Sequence, residues 1–487
     1  MVFHNLLQRS LYLDIAGALI LGAILLSCGG GGGGGIAEPP GGNGGAETPP
    51  TTPTTSQFVL TPLPAGETTP PRGGINNALT ASYVVLAWND LGMHCLNPSY
   101  DTAVILPPYN TLWAQVIKRG NKPQVVTEGL AVTYRIVMNT TSQKGSFAQF
   151  WTYAMQLFGA APALDQGLNL ADPAISNGLA GTMVAKGDHF QVNGIPLTPL
   201  NDGDHWNPFQ VAEITVTDSA SATVLAQTRT TVPTSDEINC GRCHGNSSDP
   251  TVVFTDILAK HDAHHGTSLQ NSKPVLCASC HGSPALSAPL KPGIKYLSEA
   301  IHGFHGNMAS PPDCYDCHPG TVTQCNRSSP HTAADGNCTA CHGTMADVSA
   351  TVANGSRVPW ANEPKCVTCH SSGLNGIPVP EVDTGGTLYR DAAGHGGIYC
   401  AGCHGSPHAM TPSNQASDNY QSKQYQGRPW AIADCGACHA TSRGGGGVTV
   451  FAVFHTGDPS ACNICHTGFQ NAASTTNWPH QFQWKSR

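Results

Sequence analysis

The chain is short of charge. Of its 487 residues, 11% are Asp, Glu, Lys or Arg and 7% are aromatic, against about a quarter charged in ordinary soluble domains. So few Glu and Lys cannot clothe long solvated helices. A formal net charge of -8 excludes the basic surface that nucleic acid requires. Long apolar runs are missing too: residues 15–26 form a run of 12, where a membrane-spanning helix needs about 20. What the chain has instead is 55 Gly and 37 Pro, which suit irregular segments, together with 19 Cys and 22 His. Its length predicts two to four domains.

The cysteines are not scattered. A Cys-x-x-Cys-His pattern occurs eight times, at Cys240/Cys243/His244, Cys277/Cys280/His281, Cys314/Cys317/His318, Cys338/Cys341/His342, Cys366/Cys369/His370, Cys400/Cys403/His404, Cys435/Cys438/His439 and Cys462/Cys465/His466. Composition alone predicts roughly 0.03 such matches. Two thiols three positions apart in one tight turn can each add to one vinyl group of a single haem, and the next residue then lies beneath the ring as the proximal iron ligand. Structural zinc also uses Cys-x-x-Cys pairs but needs no His directly after the second Cys. A thioredoxin-like redox pair occurs once, not eight times. The motifs therefore predict eight covalently bound haem c groups. Each haem brings two propionates, so the assembled protein becomes more acidic and favours a positively charged or metal-bearing partner.

Residues 1–28 read as an export signal: Arg9, an apolar run, then Leu25-Leu26-Ser27-Cys28. That ending resembles a bacterial lipobox, which implies lipidation of Cys28 and a membrane-surface anchor. Gly29 after the cysteine, where Asp implies inner-membrane retention, favours the outer membrane. A plain cleaved signal or an uncleaved anchor is the alternative. Residues 29–77, opening with seven glycines, carry too few large apolar side chains to fold and read as a disordered Gly/Pro/Thr tether.

Residues 78–235 hold no attachment motif. Strand-like runs at 83–88, 112–118, 125–137, 209–216 and 222–232 predict a small all-β, sandwich-like domain, the last two forming a hairpin. Trp88-Asn89-Asp90-Leu91-Gly92-Met93-His94-Cys95 stands out, and its Met, His and Cys are each capable of binding iron; a loop whose His packs locally is the plainer reading. Asp188, His189, Asp202, Asp204 and His205 read as solvated loop residues, since their spacing matches no metal motif. Residues 236–487 are expected to form a loop-rich multihaem cytochrome c domain with short helices. Cys95 and Cys325 remain once Cys28 and the haem set are removed. In an oxidising compartment they can pair as a disulfide, or Cys325 can serve a long-spaced attachment with Cys341, although Cys338 already fits the ordinary spacing.

Whether each iron carries a second protein ligand decides function. A saturated iron passes electrons, whereas one with an open position can convert a small molecule. Ten histidines beyond the motif set lie in the haem region: His261, His264, His265, His302, His305, His331, His395, His408, His455 and His480. Ten candidates for eight positions predict bis-His ligation at most sites. Adjacent His264 and His265 would point to opposite sides and serve two haems. The motif starts are spaced 24 to 37 residues apart, too little polypeptide to give each cofactor its own core. The haems are therefore expected to pack against one another as one continuous chain.

With the lipobox-like Cys28, the eight motifs, the interleaved histidines and segments such as Cys317-His318-Pro319-Gly320 and Cys403-His404-Gly405, the chain resembles the outer-surface multihaem c-type cytochromes of metal-reducing bacteria. The resemblance implies electron transfer at or beyond the outer membrane to ferric minerals, quinone-like organics or partner cytochromes. No catalytic residue is singled out, and terminal metal reduction is the one enzymatic activity an electron carrier of this kind can have. Two alternatives are an octahaem oxidoreductase of the hydroxylamine, nitrite or tetrathionate type with one open iron, and a filament-forming extracellular cytochrome. All eight motifs end in His and the histidine supply exceeds demand, which favours the electron conduit.

Overall fold

The computed structural model describes residues 82–439 apart from 121–122, 321, 336–337, 367, 369–386 and 433–434, all within one compact unit. Cys28, Cys369, His370, His455, Cys462, Cys465, His466 and His480 lie outside the described residues.

Thirteen strands are described, and most lie before residue 236. The first sheet orders β1 (Tyr83–Trp88), β4 (Asn110–Lys118), β9 (His189–Ile195) and β8 (Val184–Lys186), with β5 (Gln124–Val125) also on β4. The second orders β11 (Val224–Thr231), β10 (Val211–Asp218), β6 (Leu130–Ile136) and β7 (Ala180–Thr182). Every pairing in both is antiparallel. Their inner faces share one core, in which Val85, Ala87, Leu112 and Val116 meet Val132, Ile136, Ile214 and Val216. The expected hairpin is β10–β11. The expected strand at 125–137 is instead two strands in different sheets, because Gly129 takes a positive φ of 70° between them and turns the chain.

The first sheet is buried on its other face as well. Val84, Leu86, Trp88, Trp113 and Ile117 pack against Ala401, Tyr425 and Ala437, so β1 reads as a continuous apolar run rather than an alternating one. Each large side chain buried this way contributes roughly 1.5–3 kcal/mol. The Tyr420–Gln426 helix closes the open edges. Its Tyr425 hydroxyl donates to Val85 O at 2.8 Å and accepts from Val85 N at 3.3 Å. Gln421 accepts from Ala87 N at 2.7 Å and donates to Ala87 O. Gln424 bonds Gln227 O and Thr228 Oγ1 of β11, each at 2.8 Å. Edge strands left bare would expose these groups to other chains.

Two elements escape the strand pattern. Strand β9 follows a Gly187 turn within the expected loop, and α1 (Gln149–Phe158) buries Phe150, Ala154 and Leu157 on one stripe against Leu96, Tyr100 and Phe147. Short parallel pairs join β2 (His94–Cys95) to β12 (Thr234–Ser235) and β3 (Ala103–Val104) to β13 (Val275–Leu276). Beyond residue 236 the described elements are short: α2 (Pro250–His265), α3 (Leu297–Gly306), α4 (Ser329–Asp335), α5 (Thr339–His342), α6 (Met345–Ala353), the Cys400–His404 and Tyr420–Gln426 helices, and single 3-10 turns. Helix α2 starts on Asp249, which accepts from Thr251 N, with Pro250 in its first turn, and it ends at Gly266 with φ 65°. Helix α3 lies so close to α6 that a Cβ on Gly306 would sit 2.5 Å from Ser349 Cβ.

Candidate haem sites

The first four motifs are each one tight turn. The second Cys and the His both fold back onto the carbonyl of the first Cys, as in Cys243 N and His244 N to Cys240 O (3.1 and 2.9 Å), Cys280 N and His281 N to Cys277 O (3.2 and 3.0 Å), and Cys317 N and His318 N to Cys314 O (3.2 and 2.9 Å). Cys341 and His342 close on Cys338 O in the same way. One cavity of about 3270 Å³ is lined by side chains from all seven described motifs. Ordinary small-molecule clefts hold about 300–1,000 Å³.

The histidines meet in twos. Facing ring centres are 6.3 Å apart for His244 and His305, 6.3 Å for His261 and His281, 6.1 Å for His302 and His318, 6.2 Å for His342 and His408, and 6.2 Å for His395 and His439. In every pair one ring belongs to a motif and the other comes from between motifs. A ligating imidazole nitrogen sits about 2.0 Å from its metal and about 1.1 Å from its own ring centre, so two rings on opposite sides of one iron have centres about 6.2 Å apart. The residues present therefore fit an iron held between two imidazoles. Among the described residues no group of three or more His, Cys, Asp or Glu converges.

The other ring nitrogen is already used. Nδ1 of His244 lies 3.1 Å from Asp256 Oδ2, that of His281 2.9 Å from Lys295 O, that of His302 2.8 Å from Ser298 O and that of His305 2.8 Å from Ile301 O. An Nδ1–H that donates to a carbonyl or carboxylate leaves Nε2 as the lone pair and fixes the ring orientation. Burial, more than any neighbouring charge, pushes His318 and His342 down to about 4, and it also lowers His244, His261, His302, His395, His408 and His439. Neutral imidazoles are the ligand form.

The β-rich part builds two of the facing rings. Gln115 of β4, fully buried, donates to Gly397 O at 3.0 Å and accepts from Tyr399 N at 2.9 Å, which seats the loop carrying His395. The turn at Leu91-Gly92 receives the His408 loop. His408 Nδ1 faces Leu91 O at 3.4 Å, and a Cβ on Gly92, whose φ is +84°, would lie 1.4 Å from Pro407 O. Arg327 ties the same region, with its backbone N donating to His408 O at 2.6 Å and Nη2 donating to Gly92 O at 2.9 Å. The sequence singled out the 88–95 stretch without finding this use for it.

The remaining candidates sit as follows. His264 and His265 lie 4.6 Å apart, with His265 4.8 Å from His261 and His264 5.8 Å from Phe304; neither stands opposite a described motif histidine. His331 Nδ1 is 2.8 Å from Ser328 Oγ. His94 packs locally, its Nε2 3.2 Å from Asp90 Oδ1. The loop set does not converge: His189 is buried and stacks on Trp113 at 4.5 Å, while Asp202 pairs with Lys144 at 3.1 Å. The solvated reading of His189 is therefore wrong, because the outer face of the sheet where it sits is covered by Tyr399. Cys95 and Cys325 both line the cavity as thiols, and burial chiefly, then the proximity of Cys325, pushes Cys95 up.

No family model matches the chain, and no curated protein matches it. Among solved structures it is similar to MtrC from Shewanella baltica OS185, at 13% identity and a TM-score of 0.14, over 59% of this chain and 43% of that one. The chain thus spans less than half the length of that protein, and the overlap fixes neither its fold nor its activity.

Proposed function

We propose that the chain is an electron-transfer protein carrying eight covalently bound haem c groups, most of them ligated by two histidines. The observation that carries this reading is the set of five opposed imidazole pairs, 6.1 to 6.3 Å between centres, around one continuous cavity. The motif cysteines would hold the macrocycles by thioethers, and His244, His281, His318, His342 and His439 would ligate from one side. His305, His261, His302, His408 and His395 would ligate from the other. His370, His404 and His466 complete the proximal set, with His264, His265, His331, His455 and His480 as the remaining distal candidates. Bound haem supplies iron that changes oxidation state by one electron. The chain's own contribution would be to saturate most of the irons, bury them and bring neighbouring attachment turns together, which suits conduction rather than substrate conversion.

The export signal, the lipobox-like Cys28 and the 29–77 tether support reading the protein as an outer-membrane lipoprotein facing the cell surface. It would pass electrons to extracellular metal or quinone-like acceptors or to partner cytochromes. Cys95 and Cys325, thiols in this structure, would pair as a disulfide in an oxidising compartment. Intact mass and ferric-state spectroscopy of the purified holoprotein test the proposal. Eight haem increments with low-spin iron throughout are expected. A high-spin iron that binds nitrite or hydroxylamine would move the protein to the oxidoreductase class.

A further inference from the structure

We infer that the attachment sites do not follow one another in space as they do in sequence: they run second, first, third, fourth, sixth, seventh, with Cys366 of the fifth motif near the sixth. The inference rests on the haem reading above and concerns which turns the chain brings together.

Helix α2 joins the first two sites. Its Asp256 holds Nδ1 of His244, and its His261 faces His281. Helix α3 joins the first and third, because His305 faces His244 while His302, one turn earlier, faces His318. The two motif turns also touch directly: Asn239 Nδ2 donates to Tyr315 O at 2.9 Å, and Arg242 pairs with Asp316. No comparable bond between the second and third motif turns exists among the described residues, so the first site lies between them.

The third and fourth sites meet where α3, whose His302 faces His318, packs on α6, which starts three residues after His342: a Cβ on Gly306 would sit 2.5 Å from Ser349 Cβ. The path then skips a motif. The ring opposite His342 is His408, four residues after His404 of the sixth motif, in a loop closed by Thr411 N to His404 O at 2.8 Å. A loop that short holds the fourth and sixth sites side by side. The sixth and seventh meet where Ala401 and Ala437, each between the cysteines of its motif, pack in one cluster with Cys438, and where Ile432 N donates to Cys403 O at 2.9 Å. The segment leading to Cys366 of the fifth motif lies beside the sixth: Tyr389 donates to Gly405 O at 2.9 Å while its backbone N is held by Glu363, three residues before Cys366. Electrons travelling along these sites therefore pass from the fourth to the sixth across the His408 loop.

The test is the position of the irons in the full-length holoprotein, located by anomalous X-ray scattering and assigned to motifs by tracing the thioethers. The expected map has the first iron flanked by the second and third, and the nearest iron to the fourth, apart from the third, belonging to the sixth motif. Eight irons in sequence order, with the second between the first and third or the fifth between the fourth and sixth, would overturn the order while leaving the haem reading intact. Motifs without iron would overturn the haem reading itself.

Discussion

His302 and His305 leave α3 one turn apart, yet each faces a different motif histidine, His318 at 6.1 Å and His244 at 6.3 Å. One helix thus serves two sites. The spacing has a direct consequence: positions i and i+3 share a face, so the two rings reach neighbouring irons without any change in the helix. His302→Ala should convert only the third site, and His305→Ala only the first, to high-spin iron, each about one-eighth of the total. The double variant should give the sum. Visible and electron paramagnetic resonance spectra of the purified holoprotein measure this, with haem content unchanged because the thioether cysteines are intact.

Gly92 should matter as much as a ligand although it binds nothing. Its φ of +84° and the 1.4 Å approach that a Cβ would make to Pro407 O mean that Gly92→Ala must push away the loop that carries His408. The expected result is eight haems still attached with the fourth site no longer fully low-spin. A substitution at the exposed Gly187, which has a similar positive φ of +69° but where a Cβ meets nothing within 4 Å, should leave the spectrum unchanged, so that the close approach to Pro407 and not the φ alone carries the effect.

The segments that carry Cys95 and Cys325 are joined through their neighbours. Ser235, register partner of Cys95, is 3.1 Å through its Oγ from Thr323 Oγ1, and Glu237 accepts from Thr323 N at 2.9 Å. Oxidation removes two protons and two electrons from the two thiols, taken up by an extracytoplasmic disulfide oxidant in thiol–disulfide exchange. Peptide mapping of protein from an oxidising compartment should recover Cys95 linked to Cys325. Alkylation of both thiols without prior reduction would refute the pairing.

Acid should loosen the second sheet before the sites. Burial works against the Glu213 carboxylate, but hydrogen bonds from Arg229 (2.7 Å) and Arg135 (2.9 Å) outweigh it and hold its pKa below the ordinary value of 4.5. A depressed folded-state pKa gives stability that is present above the unfolded value and lost as pH falls through the folded one. Thermal unfolding of the holoprotein should therefore show a steeper fall in Tm between about pH 5 and pH 3 than Glu213→Gln shows.

The sequence made some of this legible and hid the rest for physical reasons. Attachment turns are local, set by three or four residues, so Cys240 to His244 can be read directly. The five opposed pairs are not local: His342 and His408 stand 66 positions apart, and only the fold decides that His408, rather than His331 or His395, faces His342. The β-strands were readable where apolar residues repeat, as in β1 and β10. The split at Gly129 was hidden because one glycine reroutes a run that otherwise alternates, and β9 was hidden because His189 looks solvent-facing until Trp113 and Tyr399 cover it. Gln115 is a polar residue within an apolar strand, a signal of its role against residues 397–399 that strand patterning alone overlooks.

The central claim, that opposed histidines saturate the irons, also predicts two kinds of low-spin iron. His261 and His281 are crossed at 89° and His244 and His305 at 78°, whereas His302 and His318 lie at 22°, His342 and His408 at 31° and His395 and His439 at 38°. Aligned imidazole planes split the iron dπ orbitals, while crossed planes leave them nearly degenerate, so the two arrangements give different electron paramagnetic resonance signals. The low-temperature spectrum of the fully oxidised holoprotein is the most direct measurement. The account predicts a rhombic low-spin signal from the near-parallel pairs, a separate large-g low-spin signal from the crossed pairs, and no high-spin iron. A high-spin signal at the first, second, third, fourth or seventh site would contradict it.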